Sequence, residues 1–190
     1  MKTLELAIKL LGLILLGTIA SWKAKADDFA SVQSEHSNAM QNLVQYARPM
    51  FGTAGDNCTF PGAVMPFGMI QWSPDTEAGM HQAGYSEQDT RISGFSMDHL
   101  SGAGCRYGEN FQFMPLLGAK LATPDESRTM FATPFSHSHE VAKPGYYRVK
   151  MDNGIEVELT TTARSGFGRF TYPAGKTATM TINAGSDVND

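Results

Sequence analysis

A run of short strand-like segments, separated by glycine, proline and asparagine turns, is the feature of this sequence that most constrains its fold. The clearest turn is Asp152-Asn153-Gly154, which is typical of a β-hairpin and has alternating residues on both sides. In 155–160 apolar and polar side chains alternate, which predicts a strand with one buried face. Strands are predicted at 63–64, 68–72, 92–96, 111–117, 146–151, 155–162, 168–172 and 178–183. Since no long amphipathic helix separates them, we predict an all-β fold, an antiparallel β-sandwich.

The N-terminus has the organisation of an export signal. Lys2 and Lys9 provide a positive start, 10–20 is an uncharged apolar run, and Ala24-Lys25-Ala26 is a small-x-small cleavage pattern. The alternative is a membrane anchor, but a spanning helix needs about 20 apolar residues. We therefore predict a signal peptide at 1–26, a secreted or periplasmic protein, and no membrane attachment after cleavage.

After the signal, we predict a lead-in segment at 27–42 and one β-sandwich domain at 43–190. The last predicted strand, 178–183, lies very close to the end of the chain. A sheet that ended on an exposed edge there would be prone to pair with other chains. We therefore expect the natural protein to continue beyond Asp190.

The charge of the mature chain argues against nucleic acid as a partner. Removal of residues 1–26 leaves 11 basic and 18 acidic side chains, a formal net charge of −7. Proteins that bind nucleic acid need basic surfaces, whereas a neutral ligand such as a sugar suits an acidic protein.

The densest motif is FGTAGDNCTFPGAVMPFGMIQWSPDT at 51–76. It is not a nucleotide-binding loop, because it contains neither G-x-G-x-x-G before a helix nor G-K-[ST]. Its glycines and prolines predict a rigid loop that presents polar groups. Phe60 and Trp72 are candidates to stack on a sugar ring, whereas Phe67 is expected in the core.

A second motif, ISGFSMDHLSGAGC at 92–105, runs from a strand into a loop of small residues. Asp98 and His99 are adjacent and point to opposite faces of a strand, so they do not form a side-by-side pair. Ser101 lies outside any G-x-S-x-G elbow, so no nucleophile is assigned, and the glycines let backbone approach a ligand closely.

The two cysteines leave two interpretations open. Cys58 and Cys105 both lie in glycine-rich loops of an exported chain, so one disulfide is feasible. The alternative is two separate thiols, with Cys105 as a pocket residue.

No metal site or catalytic pair is assigned within the chain. Carboxylates occur in candidate loops at Asp56, Asp75, Glu77, Asp98 and Glu109, without an EF-hand spacing or an obvious pair. Each is interpreted as a turn-capping or solvated group. His137 and His139 share one strand face, but no third ligand is indicated nearby.

Taken in order, these motifs resemble glycoside hydrolase family 92. The stretch 51–76 is similar to its N-terminal signature, and GFSxxHLSGxGC to its second block. Phe135-Ser136-His137, PGYYRV at 144–149, GIEVELTT at 154–161, Arg164 and RFTYP at 169–173 resemble its third block. The resemblance extends from Leu43 to about Asn183.

This resemblance implies a two-domain, calcium-dependent exo-α-mannosidase that inverts configuration. An N-terminal β-sandwich packs on a helical (α/α) barrel, and the barrel is missing from this sequence. The acid, the base and most calcium ligands are expected in the barrel, and α-mannoside glycans are the expected ligands. The sandwich would contribute to the sugar pocket through Trp72, His99, Ser101 and Cys105, with Phe60 and Asp98 as further candidates.

Two alternatives to the enzyme hypothesis are retained. In the first, the chain is a carbohydrate-binding module without catalytic activity. In the second, it is a truncated piece without a function of its own. Under the enzyme hypothesis the 190-residue chain alone is inactive. Replacement of His99 by alanine is expected to weaken sugar binding and leave the fold intact.

Overall fold

The computed structural model describes residues 43–55, 58–76, 81–102, 110–118 and 130–184, together with Lys23, Lys25 and Asp28. The chain divides into two units, Met1–Tyr46 and Ala47–Asp190. In the first unit a turn is closed by the Tyr46 N–H, which donates to Leu43 O at 3.0 Å. No helix in the described part of the chain is long and apolar enough to span a membrane. The predicted signal peptide and lead-in segment lie almost entirely outside the described residues.

Within its described residues, the second unit contains nine β-strands. They are β1 (Ala63–Val64), β2 (Gln71–Thr76), β3 (Arg91–Ser96), β4 (Gln112–Leu117), β5 (Thr133–Lys143), β6 (Tyr146–Met151), β7 (Glu156–Thr161), β8 (Gly166–Thr171) and β9 (Ala178–Asn183). Every pairing between them is antiparallel. The all-β, antiparallel prediction is confirmed.

The hairpin of β6 and β7 forms for the reasons that its sequence indicates. Gly154 adopts a φ of 87°, a left-handed conformation that glycine reaches without steric penalty. Asn153 Oδ1 accepts a hydrogen bond from the Ile155 N–H at 3.1 Å, which holds the turn. Beyond it, Val157 and Leu159 on β7 are buried, and polar residues alternate with them. The predicted period of two therefore selects the face that enters the core.

The sheet folds over on itself and encloses one core. Its strand order is β1-β2-β3-β5-β6-β7-β8, and β4 pairs with β3 and with β9. β1 and β2 pack against β7, with which they share no ladder. Residues of β2, such as Trp72, and of β7, such as Val157, belong to the same buried cluster. This arrangement gives the two packed layers of a sandwich.

Trp72 fills the space between the two layers. Its side chain is 5% exposed, and its indole N–H donates to Phe95 O at 3.1 Å. The ring lies on the inward face of β8, where a Cβ at Gly166 or at Gly168 would come within 2.7 Å of it. Two glycines at i and i+2 thus leave a flat surface for one indole, and Trp72 is a core residue.

One strand, β5, is absent from the predicted strand ranges, although His137 and His139 are placed on one strand face. Its sequence, TPFSHSHEVAK, is mostly polar and lacks the clusters of β-branched residues that favour strands. The pairing with β6 also shifts register between Phe135 and Glu140. A bulge of this kind interrupts the alternation of period two on which the prediction depends.

Candidate functional site

An apolar cleft of 360 Å³ is formed by residues of the second unit. It is lined by Ala47, Arg48, Pro49, Phe60, Gly62, Val64, Pro66, Ser101, Lys143, Pro144 and Gly145. These residues come from 47–49, from both sequence motifs and from the turn between β5 and β6. The strands that carry the loops therefore bring distant parts of the chain to one concave surface, the usual setting of a ligand site.

Two of the predicted pocket residues line this cleft. Ser101 is exposed, and Phe60 is half-buried. The inner side of the Phe60 ring contacts His99, with 5.1 Å between ring centroids. Phe60 thus presents an aromatic surface to the cleft while resting on the imidazole behind it.

His99 itself is enclosed beneath the cleft, with 2% of its surface exposed. Its Nδ1 lies 3.1 Å from Gln71 O and its Nε2 lies 2.9 Å from Asp75 Oδ1. Gln71 O is an acceptor, so Nδ1 carries a proton, and Nε2 faces the Asp75 carboxylate at ion-pair distance. With both nitrogens engaged, His99 has no ring atom left for a sugar hydroxyl. The geometry gives His99 a structural role and does not favour the expected sugar contact.

Asp75 is the centre of this buried polar group, and its side chain is fully enclosed. Its Oδ2 accepts hydrogen bonds from Ser96 Oγ and, at 2.8 Å, from Gln112 Nε2. The Gln112 amide reaches the carboxylate by crossing Gly94, where a Cβ would come within 2.3 Å of Gln112 Cγ. The sequence reasoning interpreted Asp75 as a capping or solvated group. That interpretation was wrong, because the Asp75 side chain is fully buried. Its hydrogen-bond partners Ser96 and Gln112 lie on other strands, so the local sequence does not reveal them.

Asp98 closes the loop that follows β3. Its Oδ1 accepts from the Asn110 N–H at 2.6 Å, and its Oδ2 accepts from Asn110 Nδ2 at 2.7 Å. This double contact ties together the two ends of a loop that carries Ser101 near its start. Asp98 is half-buried, and the geometry supports a role in shaping the loop. Its expected contact with sugar stays a prediction.

The remaining predicted groups are partly outside the described residues. Cys58 is bonded to no cysteine among the described residues, and its Sγ donates to Gln82 Oε1 at 2.7 Å. Cys105 lies outside the described residues, so its pocket role and the disulfide stay predictions. Asp56, Glu77 and Glu109 also fall outside.

The described residues contain no group of three or more His, Cys, Asp or Glu side chains placed to hold a metal ion. His137 is instead part of a polar cluster that sequence reasoning missed. Its Nδ1 lies 2.8 Å from Glu140 Oε2, and its Nε2 lies 2.9 Å from Asp89 O. His139 is exposed on the same strand.

Glu140 is the acceptor at the centre of that cluster. It also receives hydrogen bonds from Tyr85 at 2.9 Å and from Tyr147 at 2.5 Å. Burial is the main cause, and the charge of Glu140 the second, that raises the pKa of Tyr85 and of Tyr147 well above the ordinary value of a tyrosine. The cluster joins β5, β6 and the 81–90 segment as neutral phenols around one carboxyl group, and nothing in the sequence spacing indicates it.

The rim of the cleft continues into an exposed apolar loop. Met65, Phe67 and Met69 are 45%, 106% and 70% exposed, and Pro66 between them lines the cleft. Phe67 has a φ of 59°, a left-handed conformation that costs about 1–2 kcal/mol for a residue with a Cβ. The expectation that Phe67 packs in the core was therefore wrong. An exposed aromatic ring held in a strained conformation makes this loop a candidate interaction surface.

The cleft is built from the motifs of one enzyme family. The model of the glycosyl hydrolase family 92 N-terminal domain matches residues 46–190. The chain belongs to glycoside hydrolase family 92, and it is an N-terminal domain of that family.

Individual relatives agree with this assignment. An uncharacterized secreted glycosidase of Arthroderma benhamiae is 28% identical over 138 residues, which are 70% of this chain and 18% of that protein. A family GH92 α-mannosidase of Bacteroides thetaiotaomicron is 38% identical with a TM-score of 0.68, over 75% of this chain and 20% of that one. A family GH92 inverting mannosidase from strain VPI-5482 of the same species is 28% identical with a TM-score of 0.63, over 73% and 19%. The chain thus spans about a fifth of the length of these relatives.

Proposed function

We propose that this chain is the N-terminal sandwich of a secreted, calcium-dependent, inverting exo-α-mannosidase, and that its cleft forms one side of the sugar pocket. The observation that carries the proposal is the cleft itself. It is assembled from the family's own motifs, with the Phe60 ring and the Ser101 hydroxyl on its surface. A flat aromatic ring beside a hydroxyl suits a pyranose, which has apolar faces and a polar edge.

Solved relatives support α-mannosides as the substrate class. Two of them are described as mannosidases, and one of these has also been solved in complex with mannoimidazole. The curated relative is described as secreted, which agrees with the export signal expected here. These properties belong to those proteins, and their transfer to this chain is part of the proposal.

The carboxyl groups of the described residues support a division of labour between two domains. Inverting hydrolysis needs an acid and a base about 6.5–9.5 Å apart, with water between them. Asp75 and Glu140 are each held by three or more neighbours, and Asp98 is held by Asn110. None of these carboxylates is presented to the cleft. The proposal therefore assigns both catalytic groups to the rest of the full-length protein.

The proposal also places most of the calcium ligands outside this chain. The ion needs six to eight oxygen ligands, and the described residues offer no such set. In the proposal its ligands lie mainly in the helical domain, and no step depends on residues of this chain. The exposed loop of Met65, Phe67 and Met69 is suited to pack against that domain and so to close the cleft.

The test uses the full-length natural gene product and α-mannobiose. Release of mannose is expected, and proton NMR should show that its anomeric configuration is inverted. A chelator should abolish turnover, and added Ca²⁺ should restore it. Absence of turnover would refute the mannosidase assignment, whereas turnover insensitive to chelation would refute the calcium dependence alone.

Phe60 and Ser101 give the test for the cleft. Phe60→Ala and Ser101→Ala should each raise KM for α-mannobiose, while Phe60→Tyr keeps the ring and retains KM. Thermal unfolding of each variant separates a lost sugar contact from a lost contact with His99. An unchanged KM in both alanine variants would remove this cleft from the sugar site.

A further inference from the structure

A second depression lies beside the cleft, on the outer face of β6, β7 and β8. It measures 150 Å³ and is lined by Tyr146, Glu158, Leu159, Thr160, Phe167 and Arg169. We call it the outer groove. It shares no lining residue with the cleft, but it lies next to it. Thr160 Oγ1, in the groove, donates at 2.8 Å to Gly145 O, and Gly145 lines the cleft. Only the turn between β5 and β6 separates the two surfaces.

The outer groove contains two aromatic rings in one row across the sheet. Tyr146 pairs with Thr160, and Thr160 pairs with Phe167. Neighbouring strands lie about 4.8 Å apart, so the backbones of Tyr146 and Phe167 are about 10 Å apart. The exposed Thr160 hydroxyl lies between them.

Phe167 does not fit the pattern of an ordinary solvated sheet face. On β8 two of the three inward positions are glycines and the third is Phe170, while Phe167, 71% exposed, points outward. An antiparallel strand with one wet face normally has polar residues outward and apolar residues inward. Here one of the largest apolar side chains of the strand is given to the outer face, where it makes an aromatic platform.

Polar groups of fixed direction surround that platform. Glu158 accepts from Tyr146 Oη at 2.8 Å, and its other oxygen accepts from Nε and Nη2 of Arg169. The Arg169 side chain is 68% exposed. A guanidinium has five N–H donors, so several of them still face solvent after Glu158 is bound. A ring face beside oriented donors and a carboxylate matches the mixed apolar and hydroxyl surface of a sugar.

We propose that the outer groove is an accessory site that binds a second sugar of the glycan whose end occupies the cleft. The choice of sugar, an α-mannoside, rests on the proposed function. The two sites share no lining residue, and the turn containing Gly145 lies between them. In this proposal a disaccharide stays within the cleft, and only a longer glycan extends past the turn to the accessory site.

The experiment compares yeast α-mannan with α-mannobiose as substrates of the full-length protein. Phe167→Ala should raise KM for mannan roughly five- to tenfold, as loss of an aromatic anchor does, and leave mannobiose kinetics unchanged. Phe167→Tyr keeps the platform and should retain KM. Thr171→Ala, exposed on the same strand and face, is the matched control. Thermal unfolding of each variant verifies that the fold is retained.

The outcomes separate this inference from the proposed function. Unchanged mannan kinetics in Phe167→Ala would overturn it, and so would an equal loss on both substrates, because the ring would then serve the fold or the cleft. If the wild type hydrolyses neither substrate, the proposed function fails. Electrophoresis in a mannan-containing gel then decides the accessory site alone. Retardation of the wild type but not of Phe167→Ala supports it, and equal mobility overturns it.

Discussion

Asp75 and Glu158 each accept hydrogen bonds from several donors, but Asp75 lies in the interior of the folded sheet and Glu158 lies on its outer face. The Asp75 side chain is fully enclosed with His99, whereas 15% of Glu158 and 68% of its partner Arg169 are exposed. Water competes for the donors around Glu158 and screens its charge, so that pair contributes about 1 kcal/mol or less. Asp75 has no water to replace a lost partner, and its donors depend on it. Burial, more than the number of hydrogen bonds, therefore determines how much each carboxylate contributes to the stability of the fold.

The largest effect is expected at Asp75. Asp75→Ala would leave the imidazole of His99, the hydroxyl of Ser96 and the amide of Gln112 buried without their acceptor. Removal of one partner from a buried charged pair destabilises proteins by about 3–5 kcal/mol. Urea unfolding of the full-length protein should show this loss. A variant as stable as the wild type would contradict the buried arrangement.

His99→Ala should be the next most damaging change, and it reverses an expectation drawn from the sequence. The ring packs against Phe60 and engages Asp75, so its loss should lower stability by about 2–4 kcal/mol. The double variant with Asp75→Ala should be less destabilised than the sum of the two. Additive losses would show that the two residues act independently.

Gly168→Ala probes the inner side of the strand whose outer side carries Arg169. The new Cβ would come within 2.7 Å of the Trp72 ring, and overpacking of this kind costs about 1–3 kcal/mol. Thermal unfolding measures it, with Thr171→Ala on the outer face of β8 as the control. If the added methyl group were harmless, Trp72 would not lie on this strand as described.

The smallest effect is expected at Glu158. Hydrogen bonds from Tyr146, and then from Arg169, hold the pKa of Glu158 below its ordinary value of 4.5. A carboxyl group with a depressed pKa adds stability above that ordinary value and loses it as the pH falls through the folded-state pKa. Glu158→Gln should therefore cost about 1 kcal/mol or less at pH 7, and the difference from wild type should vanish in acid. A constant difference across the pH range would contradict the ionic origin.

Much of the fold was predictable because its signals are local. The turn at Asp152-Asn153-Gly154 and the alternation in β7 lie within a few residues of each other, and both are confirmed. β5 was missed because its bulge and polar composition conceal the period of two. Of the predicted pocket residues, the geometry brings Phe60 and Ser101 to the cleft. Trp72 and His99 are buried in the interior. A tryptophan or histidine is common both in a core and in a sugar-binding site, so residue type alone could not distinguish the two.

The sequence by itself determined the family, the antiparallel strands and the hairpin turns. Backbone preferences and side-chain alternation act over short distances, and the motifs retain their order along the chain. Only the tertiary structure decided that Asp75 meets His99, that Trp72 lies on Gly168, and that Phe67 faces outward. Each of these depends on which strands become neighbours after the sheet folds over. Burial and hydrogen bonding are properties of those neighbours, and no local pattern encodes them.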